Sequence, residues 1–378
     1  MLFVRFLLAS VLTLFSLISS FSHATFKLAN QQITAEQVSN LSQVNFADLC
    51  SVAEQTLYYL DEHSDDTFAV HGGNALLPFS NNERIKKTLS FICMTYLEDT
   101  EKGQNLRLQQ ANFLLKHFDF YRWYPDKTTA DQFAAKSNNA KKNSLLNGIP
   151  TEQILLTKYY TKLLHANPQK TAEFNHALYA LPFDEEGLSL EEAELKKAQL
   201  TRFKYTRQDI VTGVLAQKKL AEPLIWLSES SLYDVLLQGT GVVQTGDKTR
   251  YFNVHRNNGI NYNYSLGQKE QGRYWYFAEV PSIMGYGKKL EDKIPIKPYV
   301  TFAGNVKQLG LGQLFLVNNP EKGQFSRLGI LADQGGAFDN NLFQLDYLVG
   351  SYWDFNDYHQ HNKHLPDYTN AWLLLLKE

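Results

Sequence analysis

Two aspartates near the C-terminal end of this 378-residue chain have the setting needed to bring carboxylates to one place. The apolar run Leu328 to Ala332 ends in Asp333 and is followed by Gly335-Gly336, the pattern of a short buried strand that stops at a carboxylate. A second apolar segment, Leu342, Phe343 and Leu345, then delivers Asp346. The paired glycines let backbone approach a ligand closely or take positive φ. Two carboxylates at one site suit glycoside cleavage: one protonates the leaving oxygen while the other charge supports an oxocarbenium-like state.

The elements that must position this pair can be read along the chain. With 44% hydrophobic and 13% aromatic residues the chain can bury two cores, so two domains are expected. A formal charge of −2 gives no polyanion-binding character, which excludes nucleic acid as a natural partner. The 21 Tyr and 24 Phe suit stacking on sugar faces, although any single ring is first a core residue. Residues 1–24 read as a signal peptide, with Arg5 ahead of the apolar run Phe6 to Ile18 and Ser22-His23-Ala24 as the cleavage site. The run is shorter than the ~20 residues that span a bilayer, so no membrane anchor is expected and the exported chain is placed in the periplasm.

Thr34 to Gln37 has the form of a capping box, and the apolar residues of 46–60 and 82–97 recur at helical spacing. Cys50 and Cys93, the only cysteines, fall on those two apolar faces, where they form either a disulfide or two buried thiols. A third helix is expected over 104–118, and a polar, lysine-rich loop over 126–147. Alternation around Thr157, Tyr159 and Thr161 predicts a strand, as do Ala177 to Leu181 and Tyr274 to Val280. Capping boxes open helices at Ser189 and Thr206. Leu232 to Gln244 reads as an apolar strand broken by Gly239-Thr240-Gly241. Strands are expected again at 312–317, 328–332 and 371–377. His359, His361 and His364, with Asp354 and Asp357, match no metal-ligand spacing and read as a solvated loop; no metal or other cofactor is expected.

Four segments, in order, resemble the membrane-bound lytic transglycosylase A family. Asp333-Gln334-Gly335-Gly336-Ala337-Phe338 with Leu345-Asp346-Tyr347 and Gly350 resembles its C-terminal catalytic region. Thr157-Lys158-Tyr159-Tyr160-Thr161-Lys162 is similar to its Thr-Gly-Tyr-Tyr-x-Pro segment, with lysines in place of the glycine and proline. Gln238-Gly239-Thr240-Gly241 resembles Gln-Gly-Ser-Gly, and Asn258 to Gly267 resembles Asn-Gly-x-x-Tyr-x-Ser-Ile-Gly. A third marker aspartate of the family aligns with Asn305.

The resemblance implies a mainly β chain with N-terminal helices (α+β): a double-psi β-barrel domain from 25–165 and 285–378, an inserted β-barrel domain at 166–284, and a glycan groove between them. It further implies a peptidoglycan lytic transglycosylase that cleaves the MurNAc-β-1,4-GlcNAc bond and leaves 1,6-anhydro ends. Asp346 is then the acid and base, and Asp333 holds the polarity of the site. Tyr159, Tyr160, Gln238, Gly239, Asn258, Tyr262, Ser265, Gly335 and Gly336 are the expected glycan contacts, with Glu229 and Asp234 as candidate supporting acids. The alternative is a peptidoglycan-binding or scaffolding protein on the same fold. Edman sequencing of the exported protein is expected to begin at Thr25, with the protein soluble without detergent; a retained leader or an attached lipid overturns this.

Overall fold

Six strands close into a ring: β1 (Ile154–Leu163), β2 (Thr301–Ala303), β3 (Leu314–Asn319), β4 (Phe325–Asp333), β5 (Gln344–Tyr352) and β6 (Tyr368–Leu376). The order around the ring is β1-β5-β2-β4-β3-β6, and β6 returns to β1 through Tyr368↔Leu155 and Thr369↔Ile154. Pairs β1/β5 and β2/β4 are parallel and the other four are antiparallel. Closure removes the edges that an open sheet would expose. This computed structural model describes residues 24–30, 33–38, 40–245, 248–263, 265–322, 325–335, 338 and 340–378. The expected signal peptide lies outside them except for Ala24.

Alternation along each strand divides the side chains between two faces. Phe302, Phe315, Leu331, Leu345, Tyr347 and Leu373 fill the barrel interior. Leu314, Leu316, Leu328, Ile330 and Leu374 point outward and are covered by two helices, Phe46–Glu62 and Asn82–Glu101. Asn45 caps the first helix by accepting from the amides of Ala47 and Asp48, and Asn81 caps the second through Arg84. Their buried faces carry Leu49, Val52 and Ala53 against Ile85, Leu89 and Ile92. Cys50 and Cys93 meet across this helix pair, with sulfurs 2.06 Å and Cα atoms 4.7 Å apart.

The insert leaves the barrel at the end of β1. Lys162↔Gly241 and Leu163↔Val242 carry the sheet onward into the strands Thr240–Thr245, Lys248–Asn257 and Trp275–Val280. A second sheet, Ala166–Asn167, Ala221–Leu227 and His176–Pro182, packs with it around Leu178, Ile225, Leu232, Val243, Phe252 and Phe277. Under this core Glu185 accepts from Arg202 and Arg256, which confines the buried charge to a satisfied triad.

Several local expectations are corrected. Residues 126–147 are not a loop but two helices, Lys127–Lys136 and Ala140–Asn147, held to the barrel by Ala130, Ala134 and Leu146 against Leu155 and Phe343. The third N-terminal helix is confined to Ala111–His117. Glu229–Gln238 is helical, not a strand: Leu232, Val235 and Leu236 are its buried face, and Gly239 ends it at φ 80, a conformation that suits glycine. His359 and His361 lie on the helix Phe355–Asn362, and His364 follows it.

Closing a 43-residue separation by a disulfide stabilises by about 4 kcal/mol on the chain-entropy account. The double replacement Cys50→Ala, Cys93→Ala is expected to lower the urea unfolding free energy by up to that amount, and two free thiols in the unreduced native protein would overturn the bridge.

Candidate active site

The register of the barrel brings the two aspartates together. Ala303 of β2 pairs with Asp346 on one side and Asp333 on the other, so a single methyl side chain stands between the two carboxyls in the sheet. Asp346 follows the ordinary alternation: Leu345 and Tyr347 point inward, and Asp346 and Leu348 outward. Asp333 does not. Leu331 points inward and Ala332 outward, so alternation alone would turn Asp333 into the barrel. The register shifts here, from Phe302↔Leu331 to Ala303↔Asp333, and Ala332 is the extra residue. A bulge re-aims the side chain that follows it. Asp333 thereby reaches the outer face and accepts the Tyr159 hydroxyl at 2.8 Å.

The extra residue leaves a carbonyl to be satisfied, and a segment joining insert and barrel supplies the partner. The Tyr286 amide donates to the Ala332 carbonyl at 3.0 Å. Gly285 permits this approach, since a Cβ there would lie 2.5 Å from the same carbonyl. The segment then turns back, with the Ile294 amide on the Tyr286 carbonyl, and places Lys293 beside the groove.

That groove is a cavity of about 340 Å³ between barrel and insert, lined by Asp333, Gln334 and Gly335 on one side and by Gln238, Gly239, Thr240 and Asn253 on the other, with Lys293 between. Gly336 lies outside the described residues. The Lys293 ammonium donates to Asn253 Oδ1 at 3.0 Å, and Asn253 in turn donates to Thr240 Oγ1 at 2.8 Å. A more apolar cavity of about 310 Å³ lies beside the barrel, reaching Thr157 and Gln344 under the Ala140–Asn147 helix. It abuts the Asp346 neighbourhood through Thr157.

The two carboxyls have different hydrogen-bonding states. Asp333 accepts Tyr159 on Oδ2 and the Gln334 amide on Oδ1. Asp346 Oδ1 is buried with no hydrogen-bond partner. Burial pushes the Asp333 carboxyl up to about 6, against the opposing effects of Tyr159, Gln334 and Lys293. Burial also pushes Asp346 up to about 6, reinforced by the charge of Asp333 and opposed by Thr157 and Lys158. Burial, followed by the nearby carboxylates, holds the Tyr159 hydroxyl well above the phenol range, so it stays a donor.

The other expected contacts divide. Gln238 and Gly239 reach the groove, and Tyr159 lies beneath it on Asp333. Tyr160, on the opposite face of β1, instead stacks on Tyr358 at 4.6 Å. Asn258 donates to the carbonyls of Tyr205 and Gly272 and accepts from Tyr274 and Ile260, so its amide fixes a loop. Ser265 bonds Asn263, and Tyr262 is partly exposed on the same loop. Glu229 pairs with Lys269, and Asp234 with Lys162. Asn305 caps the short helix Val306–Leu309 through the Gln308 amide. Lys293 and Asn253 carry no signal in the sequence; each lies in an otherwise ordinary segment, and only the fold brings them to the groove of Asp333, beside Thr240 of the Gly239-Thr240-Gly241 break.

Because a carboxyl at about 6 in the folded chain lies above its ordinary 3.8, its ionisation destabilises the fold as pH rises through about 6, and this cost is absent below about 4. Asp346→Asn is therefore expected to raise the melting temperature at pH 8, with the gain shrinking towards pH 4; an equal change at both values would show that Asp346 is not perturbed.

Residues 155–273 match the family model described as the MltA specific insert domain. Across the whole chain the fold is similar to a membrane-bound lytic murein transglycosylase from Agrobacterium tumefaciens (14% identity, TM-score 0.55, 94% of this chain and 97% of that one). It is also similar to E. coli MltA with bound chitohexaose (14%, 0.51, 94% and 95%) and to MltA from Neisseria gonorrhoeae (13%, 0.53, 87% and 86%). No curated protein matches the chain in sequence. A segment that matches the MltA specific insert domain is thus set into a closed barrel, in an overall fold similar to that of these lytic transglycosylases.

Proposed function

We propose that this protein is a lytic transglycosylase that cleaves the MurNAc-β-1,4-GlcNAc bond of peptidoglycan and forms 1,6-anhydroMurNAc ends, in the periplasm. The boundaries that go with this reading are a barrel domain of 25–165 and 285–378 and an insert of 166–284. The observation that carries the reading is the unequal state of two carboxyls that face each other across Ala303, with Asp333 lining the groove. Both oxygens of Asp333 accept hydrogen bonds, which favours its ionised form, whereas Asp346 keeps a buried oxygen without a donor. A general acid must hold a proton near the working pH, and Asp346 is the better placed of the two.

In this mechanism the Asp346 carboxyl gives its proton to the glycosidic oxygen as the C1–O bond breaks and the GlcNAc hydroxyl departs. The ionised Asp333 stands beside the positive charge that develops at C1. The muramyl C6 hydroxyl then attacks C1 and loses its proton to the Asp346 carboxylate, which restores the acid. No water is consumed, and one residue acts as acid and then base. Gln238 presents its amide group to the glycan from the insert side of the groove.

Incubation of the mature protein with purified peptidoglycan is expected to release muropeptides with anhydro ends by mass analysis. Asp346→Asn is expected to lower release at least ~100-fold while leaving pull-down on peptidoglycan intact, since an amide keeps the shape without a transferable acid proton. Ordinary reducing ends would mean hydrolysis, and wild-type pull-down without release would mean a binding protein.

A further inference from the structure

We infer that Lys293, held in place by Asn253 of the insert, is the positioning residue that assigns the shared proton of the aspartate pair to Asp346 and so couples the placement of the insert to the protonation of the site. The inference rests on the proposed reading for its catalytic meaning, but the geometry that carries it is independent of any glycan.

Two carboxyls flanking one residue of a buried sheet cannot both ionise cheaply, and a neighbouring positive charge decides which one does. Asp333 is faced by the Tyr159 hydroxyl from β1, the Gln334 amide from its own chain, Asp346 from β5 and Lys293 from the joining segment. Asp346 is faced by Asp333, by Thr157, Lys158 and Tyr159 from β1, and by Tyr358 from the C-terminal helix. Tyr159 and Tyr358 are neutral donors with hydroxyls held above their ordinary range, chiefly by burial. Of the two cations, Lys158 is turned away, donating to the Pro366 carbonyl at 2.9 Å and pairing with Asp367. Among the described residues Lys293 is the cation that lines the groove with Asp333, and its charge acts on Asp333 through space.

The backbone of Lys293 is held to the barrel through Tyr286, but its ammonium is not. Its ammonium is anchored by Asn253 Oδ1, and Asn253 is fixed within the insert by Thr240 Oγ1. The Asn253 amide is oriented by that donation, so its oxygen is the atom left for the lysine. Burial pulls the Lys293 ammonium down and the charge of Asp333 opposes this, so each charge supports the other. If the insert moves away, Lys293 loses its anchor and the ionised state of Asp333 loses its cation.

The test is carbon-detected NMR titration of the aspartate carboxyls in the glycan-free protein, with Asp333→Asn and Asp346→Asn used to assign the signals. In the wild type Asp333 is expected to titrate below Asp346. Lys293→Met is expected to raise the Asp333 midpoint and bring the two midpoints together. Lys293→Arg should restore the order, and Asn253→Ala should shift Asp333 in the same direction by less. An Asp333 midpoint unchanged in Lys293→Met, or an Asn253→Ala protein that titrates as wild type, overturns the inference. Should Lys293→Met fail to fold, Lys293→Arg and Asn253→Ala carry the comparison. Because the titration needs no substrate, it can fail while anhydro product is still formed, and it can succeed in a protein that only binds.

Discussion

The site depends on one extra residue. In a barrel whose strands alternate strictly, Asp333 and Asp346 would point to opposite faces, the first into an apolar interior with no partner and the second outward. Ala332 breaks the alternation between β2 and β4 and places both carboxyls on the outer face across Ala303. A barrel closed by hydrogen bonds on both sides of every strand cannot easily relax such a shift. The bulge is therefore tied down by its neighbours: the Gly304 amide bonds the Asp333 carbonyl, and Tyr286 takes the carbonyl of Ala332. The second of these contacts makes the joining segment part of the groove wall.

That segment is also where the two domains are held to each other. Tyr286 turns its hydroxyl to Asp66, which accepts Tyr59 and Lys288 as well, so the loop after the Phe46–Glu62 helix, the joining segment and the bulge form one connected body. The helix pair and its disulfide thus support the site at a distance, by fixing the outer face of the barrel rather than by touching the groove. The insert meets the same segment through Asn253 and Lys293. Groove shape and groove charge are consequently set by the same few contacts.

Much of this was legible in residue order, and the misses have physical causes. The helices of 46–62 and 82–101 carry caps and a clear helical period, so their apolar faces follow from pattern, while the bridge between Cys50 and Cys93 needs the helix packing as well. Asp333 ends a strand just before Gly335, and Asp346 follows an apolar segment, signals that need no partner strand to be read. Glu229–Gln238 was misread because Leu232 to Leu237 is nearly continuous in apolar residues, and such a run does not show whether its period is 2 or 3.6. The helices of 127–147 hide in a lysine-rich stretch because their packing rests on a few scattered side chains, chiefly Ala130, Phe133, Ala134, Leu145 and Leu146. Lys293 could not have been found at all: a lysine in Glu291-Asp292-Lys293 reads as solvated surface, and only a contact forty residues away in sequence gives it a role.

Asn305 shows how such a site tolerates change. An aspartate at this position would cap Val306–Leu309 as Asn305 does, since either side chain offers an oxygen to the Gln308 amide. What the amide removes is a negative charge two residues beyond Ala303, the point where the aspartates face each other. A third carboxylate there would raise both partners further. In its absence their perturbation comes first from burial and then, for Asp346, from Asp333. Burial acts on both carboxyls alike, so it cannot by itself set the two apart. The distinction has to come from directional groups, the Tyr159 hydroxyl and the Gln334 amide on Asp333, and from the one cation that the insert delivers to the same side.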